Sequence, residues 1–98
     1  MSIPLPPAIT RELGPLVQAL ALRDFVPVGC EQSDLFGNFE VTFARGRLAF
    51  ALVRDRGQFH VGGVERMVLE PVGLWRSFSG PQALGAPLVA WIESRGPA

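Results

Sequence analysis

The chain has 98 residues, balances nine basic against nine acidic side chains, and is 48% apolar. A chain of this length builds one core and buries roughly 64% of its surface on folding, which excludes two domains. The apolar fraction is too high for a disordered chain, and no uncharged apolar run approaches the ~20 residues that cross a bilayer. Zero net charge also lacks the basic excess that favours nucleic acid. We therefore expect one soluble globular domain over residues 1–98, with no membrane partner and with a charge balance that disfavours nucleic acid.

The composition also indicates the setting in which the protein works. All nine basic residues are arginine, a bias typical of a GC-rich bacterial genome. The proline-rich residues 1–7 contain no positive stretch followed by an apolar one, so we expect no export signal and a cytoplasmic location. Cys30 is the single cysteine and lies in no CxxC pattern, which predicts a half-buried structural residue and no metal cluster.

Helical periodicity marks both ends of the chain. After the extended arm of residues 1–7, apolar residues recur at helical spacing, and Pro15 interrupts them. Because proline has no N–H and crowds the preceding turn, the helix either kinks there or restarts with Pro15 in its first turn. We expect a bent helix that ends near Arg23. A second helix places Leu84, Leu88, Trp91 and Ile92 on one side, and Trp75, Trp91 and Phe78 are predicted to lie in the core.

Between these helices the apolar period changes from 3.6 to 2, which predicts strands. A first strand covers 25–31, where Pro27 favours an edge position or a bulge. Three further strands form a meander, and residues 66–70 suggest one more strand. The fold class is therefore α+β, with an antiparallel meander sheet of four to five strands flanked by an N-terminal and a C-terminal helix.

The two turns of the meander set its register. A two-residue loop at 45–46 places Phe43 opposite Leu48, and a four-residue second turn places Phe59 beside Leu52. Both turns bring the apolar residues to one face, which we expect to be the core face.

The opposite face of the sheet contains the first candidate binding site. In this register Glu40 and His60 share a row across Ala51, about 9.6 Å apart, too far for a direct hydrogen bond. One interpretation is a polar groove in which His60 acts as acid or base or anchors a small ligand. The alternatives are an ordinary solvated sheet face, or a floor of small residues such as Ala49 and Gly62 that receives a partner chain.

The second candidate binding site is the turn that contains Arg54, Asp55, Arg56 and Gln58. Asp55 can accept hydrogen bonds from turn amides, and Gly57 can take a positive φ, which would hold both arginines beside a rigid turn. Such a turn suits recognition of carboxylates or phosphates, and the alternative is a turn with solvated arginines.

No catalytic or metal-binding residues are predicted. His60 lies on a middle strand and Cys30 on an edge strand, so nothing supports a Cys–His pair. Glu31 and Asp34 beside Cys30 would raise its pKa, which opposes activation. Residues 61–64 lack the lysine and the spacing of a phosphate loop. We expect a protein that is not an enzyme and uses no cofactor.

Two runs flank the first strand pair of the meander: Phe36-Gly37-Asn38 before it and Arg54-Asp55-Arg56-Gly57-Gln58-Phe59 after it. In this arrangement residues 36–63 resemble small bacterial proteins, some of which are similar to immunity proteins of toxin systems. The resemblance implies a small α+β module that acts by binding another protein. We therefore expect a protein-binding module, toxin-neutralising or regulatory, whose partner is another protein or a second copy in a homodimer. The alternatives are a small-ligand binder or enzyme at Glu40 and His60, and, third, a weak nucleic-acid binder.

Overall fold

An antiparallel sheet with helices from both ends of the chain makes up the fold, which the computed structural model describes for residues 2–33 and 37–96. The strands follow the order β1-β2-β3-β4, as the α+β meander prediction requires. None of the helices in these ranges is long and apolar enough to cross a bilayer. The elements are α1 (Pro7–Leu13), α2 (Pro15–Ala21), β1 (Val26–Gln32), β2 (Phe39–Arg45), β3 (Leu48–Asp55), β4 (Gln58–Gly62), α3 (Arg66–Leu69), a 3-10 turn (Glu70–Val72) and α4 (Pro81–Ser94).

The N-terminal helix restarts at its internal proline. Gly14 has a φ of 60° and separates α1 from α2, which begins with Pro15 in its first turn. The end of α2 is a Schellman motif, because Asp24 lies at a φ of 66° and the Phe25 N–H donates to the Leu20 carbonyl at 2.9 Å. Phe25 and Leu20 are both fully buried, so the motif also fixes the angle at which the chain enters the sheet.

The predicted faces of the meander are confirmed, whereas its predicted register is wrong by two residues. The first turn is 46–47, so Phe43 faces Phe50 and not Leu48. The second turn is 56–57, so Phe59 faces Arg54 and not Leu52. Two-residue turns that match the strand twist need a positive φ at the first central residue. When the first turn moves by one residue, from 45–46 to 46–47, Gly46 takes this position and has a positive φ. Because side chains alternate with a period of two, a two-residue shift leaves each apolar side chain on the predicted face.

The core lies between one face of the sheet and the helices α1, α2 and α4. Phe50 is at its centre, with ring centroids 5.3 Å from Phe25, 5.8 Å from Phe43 and 6.1 Å from Trp91. Each large apolar side chain buried here contributes on the order of 1.5–3 kcal/mol. Among the described residues, the buried apolar side chains of this core are Ile9, Leu13, Leu16, Leu20, Phe25, Phe39, Val41, Phe43, Phe50, Leu52, Phe59, Val61, Leu69, Leu74, Phe78, Leu84, Leu88, Trp91 and Ile92.

The first strand is an edge strand and also has a bulge, as Pro27 indicated. The register shifts between Pro27 and Gly29, and the Pro27 carbonyl accepts a hydrogen bond from Ile3 of the N-terminal arm at 2.8 Å. Cys30 is half-buried on the core face, as expected.

The segment after β4 corrects three predictions. Residues 66–70 form helical turns and no strand, because Leu69 is buried while Met67, which a strand would place on the same face, is 74% exposed. An ion pair of 2.9 Å between Arg66 and Glu70 supports the helical spacing. Trp75 is 45% exposed and lies outside the core. Finally, β4 is an edge strand, not a middle one, and on its outer side it forms an isolated bridge with Phe78.

Candidate functional site

The β3–β4 turn has a fixed backbone and exposed charges. Both central residues are left-handed, with φ of 55° at Arg56 and 82° at Gly57. The Asn38 Oδ1 accepts a hydrogen bond of 2.8 Å from the Arg56 amide, a role that the sequence had suggested for Asp55. The side chains of Arg56 and Asp55 are 80% and 57% exposed. The turn therefore presents both charges to solvent from a backbone that is fixed at both strands and at Asn38.

The structure separates Arg54 from the rest of the turn. Its side chain is on the core side of β3, where Nε lies 2.5 Å from Glu12 Oε1 of α1 and the side chain is 21% exposed. A Cβ atom at Gly37 would come within 2.9 Å of Arg54 Nη1, so the guanidinium also packs against the loop before β2. Arg54 thus joins α1 to the sheet and does not present its charge with Arg56.

Glu40 and His60 occupy one row of the outer face, but the residue between them is Val53 and not Ala51. Glu40 lines a hollow of about 320 Å³ together with Glu31 and Asp55. His60 lines a separate hollow of about 430 Å³ at the edge of β4. Neither of these two hollows contains both Glu40 and His60.

A further acidic residue, Glu31, belongs to this surface. It lies directly opposite Glu40 in the β1–β2 ladder, and both side chains are exposed. Like charges at directly opposite positions destabilise a sheet by about 0.2–1 kcal/mol. We call Glu31, Glu40, Asp55, Arg56 and Gln58 the turn surface. The alternation of β1 could have revealed Glu31, but the bulge at Pro27 hides the register that pairs it with Glu40.

Cys30 and His60 cannot form a catalytic pair. Cys30 is in the row of Val41 on the core face, whereas His60 lies on the opposite face and three strands further along the sheet. Burial, and secondly the Glu31 carboxylate, raise the pKa of the Cys30 thiol above its usual value. Asp34, the other residue expected to raise it, lies outside the described residues. No group of three or more His, Cys, Asp or Glu side chains in the described ranges could hold a metal ion.

Fold and surface together define a small α+β protein with a charged turn surface at one end of its sheet. Comparison with known proteins adds no relative: no family model, curated protein or solved structure matches the chain. The resemblance of residues 36–63 to immunity proteins therefore stays a prediction.

Proposed function

We propose that this chain is a non-enzymatic protein-binding module that holds its partner at the turn surface, in the manner of a toxin-neutralising or regulatory protein. The observation that carries the proposal is that two unfavourable local features lie together on exposed surface. Glu31 faces Glu40 across the ladder, and Arg56 holds a left-handed backbone that favours glycine or asparagine. Such features are expected at functional sites, where a partner compensates them.

The charges of the turn surface indicate the chemistry of the partner. Glu31, Glu40 and Asp55 line one hollow, and the one arginine that also lines it, Arg54, is paired with Glu12. The partner segment should therefore carry arginine or lysine opposite these carboxylates, with an acidic group or a carbonyl near Arg56. Complementary exposed charges raise the association rate and select against wrong partners more than they raise affinity.

The test is retention of a partner from the lysate of the source cell by the immobilised full chain. We expect the wild-type chain to retain a partner, and the double variant Glu31→Lys with Glu40→Lys to lose it while keeping a native circular dichroism spectrum. Glu65→Lys, an exposed charge reversal elsewhere, is the matched control and should retain it. A native mass spectrum covers the case in which the partner is a second copy.

A second variant separates binding from stability. Asn-Gly is the preferred pair for a turn with two left-handed central residues, so Arg56→Asn should raise the free energy of unfolding by about 0.5–1 kcal/mol. The same change removes the exposed guanidinium and should weaken retention of the partner. A strictly monomeric chain that retains nothing, or retention that is equal in all variants, would overturn the proposal.

A further inference from the structure

Among residues 2–33 and 37–96, the outer edge of β4 pairs with the rest of the chain at one position only. Phe59 and Phe78 exchange two backbone hydrogen bonds, with N···O distances of 2.8 and 2.7 Å. Since a residue in an antiparallel ladder directs both its N–H and its C=O to the same side, Phe59 directs both away from β3. By alternation Val61 directs its own N–H and C=O to the same outer edge.

Before the returning chain reaches Phe78, its residues 74–77 run beside β4 without pairing with it, and a hollow lies where the next pair would form. This hollow of about 430 Å³ is lined by 60–64 on the strand side and by 74–77 on the other. Among the described residues, no backbone group pairs with the N–H or C=O of Val61 on this side. Val61 is 4% exposed but lines the hollow, so a strand that enters the hollow would continue at Val61 the ladder that starts at Phe59.

The lining of the hollow indicates which strand would fit. Leu74 is 1% exposed and forms an apolar wall, and Trp75 is 45% exposed beside it. Two ionisable side chains, Arg76 and His60, line the hollow, and no carboxylate of the described part of the chain belongs to its lining. Arg76 lies 4.7 Å from the ring centroid of Phe78 and has no carboxylate partner among the residues that the structure describes.

We propose that the β4 edge binds an extended peptide segment of another protein, which carries an apolar side chain next to an acidic one. The peptide backbone would hydrogen-bond to Val61, as in strand addition to other sheet edges. Its apolar side chain would pack on the exposed ring of Trp75, and its carboxylate would pair with Arg76. The inference goes beyond the proposed function because it concerns a different surface.

The experiment is selection of peptides from a random heptapeptide phage library with the immobilised full chain. We expect the enriched peptides to share an acidic residue beside an apolar one. Synthetic copies should shift the emission of the exposed Trp75, and this shift should disappear in Trp75→Phe. Methylation of the peptide nitrogen that meets the Val61 carbonyl should raise the Kd at least about tenfold, since it removes a backbone donor.

Variants of the protein locate the site. Arg76→Gln should raise the Kd about tenfold, and Arg47→Gln, an exposed arginine in the β2–β3 turn, should leave it unchanged. The Glu31→Lys and Glu40→Lys double variant should also bind the peptide normally, which separates this site from the turn surface. A library without enriched peptides overturns the inference and leaves the proposed function standing. The inference is also overturned if the Kd of the enriched peptides changes neither with Arg76→Gln nor with backbone methylation.

Discussion

At the scale of single residues, backbone conformation explains where this sequence lowers its own free energy of unfolding. In the described chain, Asp24 and Arg56 are the residues other than glycine with a positive φ. An L side chain in this region costs roughly 1–2 kcal/mol relative to the right-handed helix, although aspartate tolerates it better than most. Arg56 lies on the turn surface, whereas Asp24 only ends a helix.

Asp24→Gly should therefore stabilise the fold. Glycine takes the left-handed conformation without strain, so we expect the free energy of unfolding to rise by about 0.5–1 kcal/mol. Urea denaturation measures the change, and Asp24→Ala is the control, for which we expect a decrease. A Gly variant that is less stable than wild type would contradict the Schellman geometry at this position.

The thiol of Cys30 should react slowly at neutral pH. Burial and the Glu31 carboxylate raise its pKa, so less thiolate is present in the folded chain than in the unfolded one. The contribution of this thiol to the free energy of unfolding is fully present below the thiol pKa of the unfolded chain. It is lost as the pH rises through the thiol pKa of the folded chain. We expect alkylation by iodoacetamide to be slower than in the urea-unfolded chain, and faster in Glu31→Gln than in wild type. Equal rates in the two folded proteins would contradict an effect of Glu31.

At the scale of elements, one arginine joins the sheet to two helices. Arg45 ends β2, and its Nη1 donates to the Arg23 carbonyl after α2 at 3.2 Å while its Nη2 donates to the Gly96 carbonyl after α4. Its guanidinium also lies 4.7 Å from the ring centroid of Phe25. A cation at the carboxyl ends of two helices is favoured by their dipoles as well as by these hydrogen bonds.

Arg45→Met should accordingly destabilise the domain by about 1.5–3 kcal/mol, since hydrogen bonds from a charged group are lost while the aliphatic stem is kept. Arg47→Met in the adjacent turn is the control, because Arg47 is exposed, and its effect should stay within about 0.5 kcal/mol. Thermal unfolding compares the two variants. Similar melting temperatures for both would show that Arg45 does not join the helices to the sheet.

The alternation of apolar and polar residues made the faces of the sheet predictable from the sequence. The register and the turn positions depend on local backbone conformation and could not be predicted in the same way. The apolar face of β2 and β3 follows from a period of two, which survives the register error at Phe43 and Phe59. The turn position itself depends on which residue takes a positive φ, and the sequence around Gly46 allows more than one choice. The acidic pair on the turn surface depends on the β1 register beyond the bulge at Pro27, a tertiary property that no local pattern encodes.

At the scale of the whole molecule, the two ends of the chain close the core together. The helices α2 and α4 meet over the sheet, and Arg23 forms an ion pair of 3.0 Å with Glu93, which is 70 residues away. By contrast, β2, β3 and β4 are joined by two-residue turns and contact their immediate neighbours in sequence.

The two-residue turns of the meander have a consequence for the order of folding. Short loops close at low entropic cost, so the β2–β3–β4 hairpins can form before the distant helices dock. Substitutions at Gly46 or Gly57 should slow refolding, whereas Leu16→Ala and Leu88→Ala in the α2–α4 contact should mainly accelerate unfolding. Stopped-flow chevron plots distinguish these outcomes. In a growing chain, α1, α2 and the meander would accordingly be synthesised before α4, and the part of the apolar face that α4 covers would stay exposed until α4 leaves the ribosome.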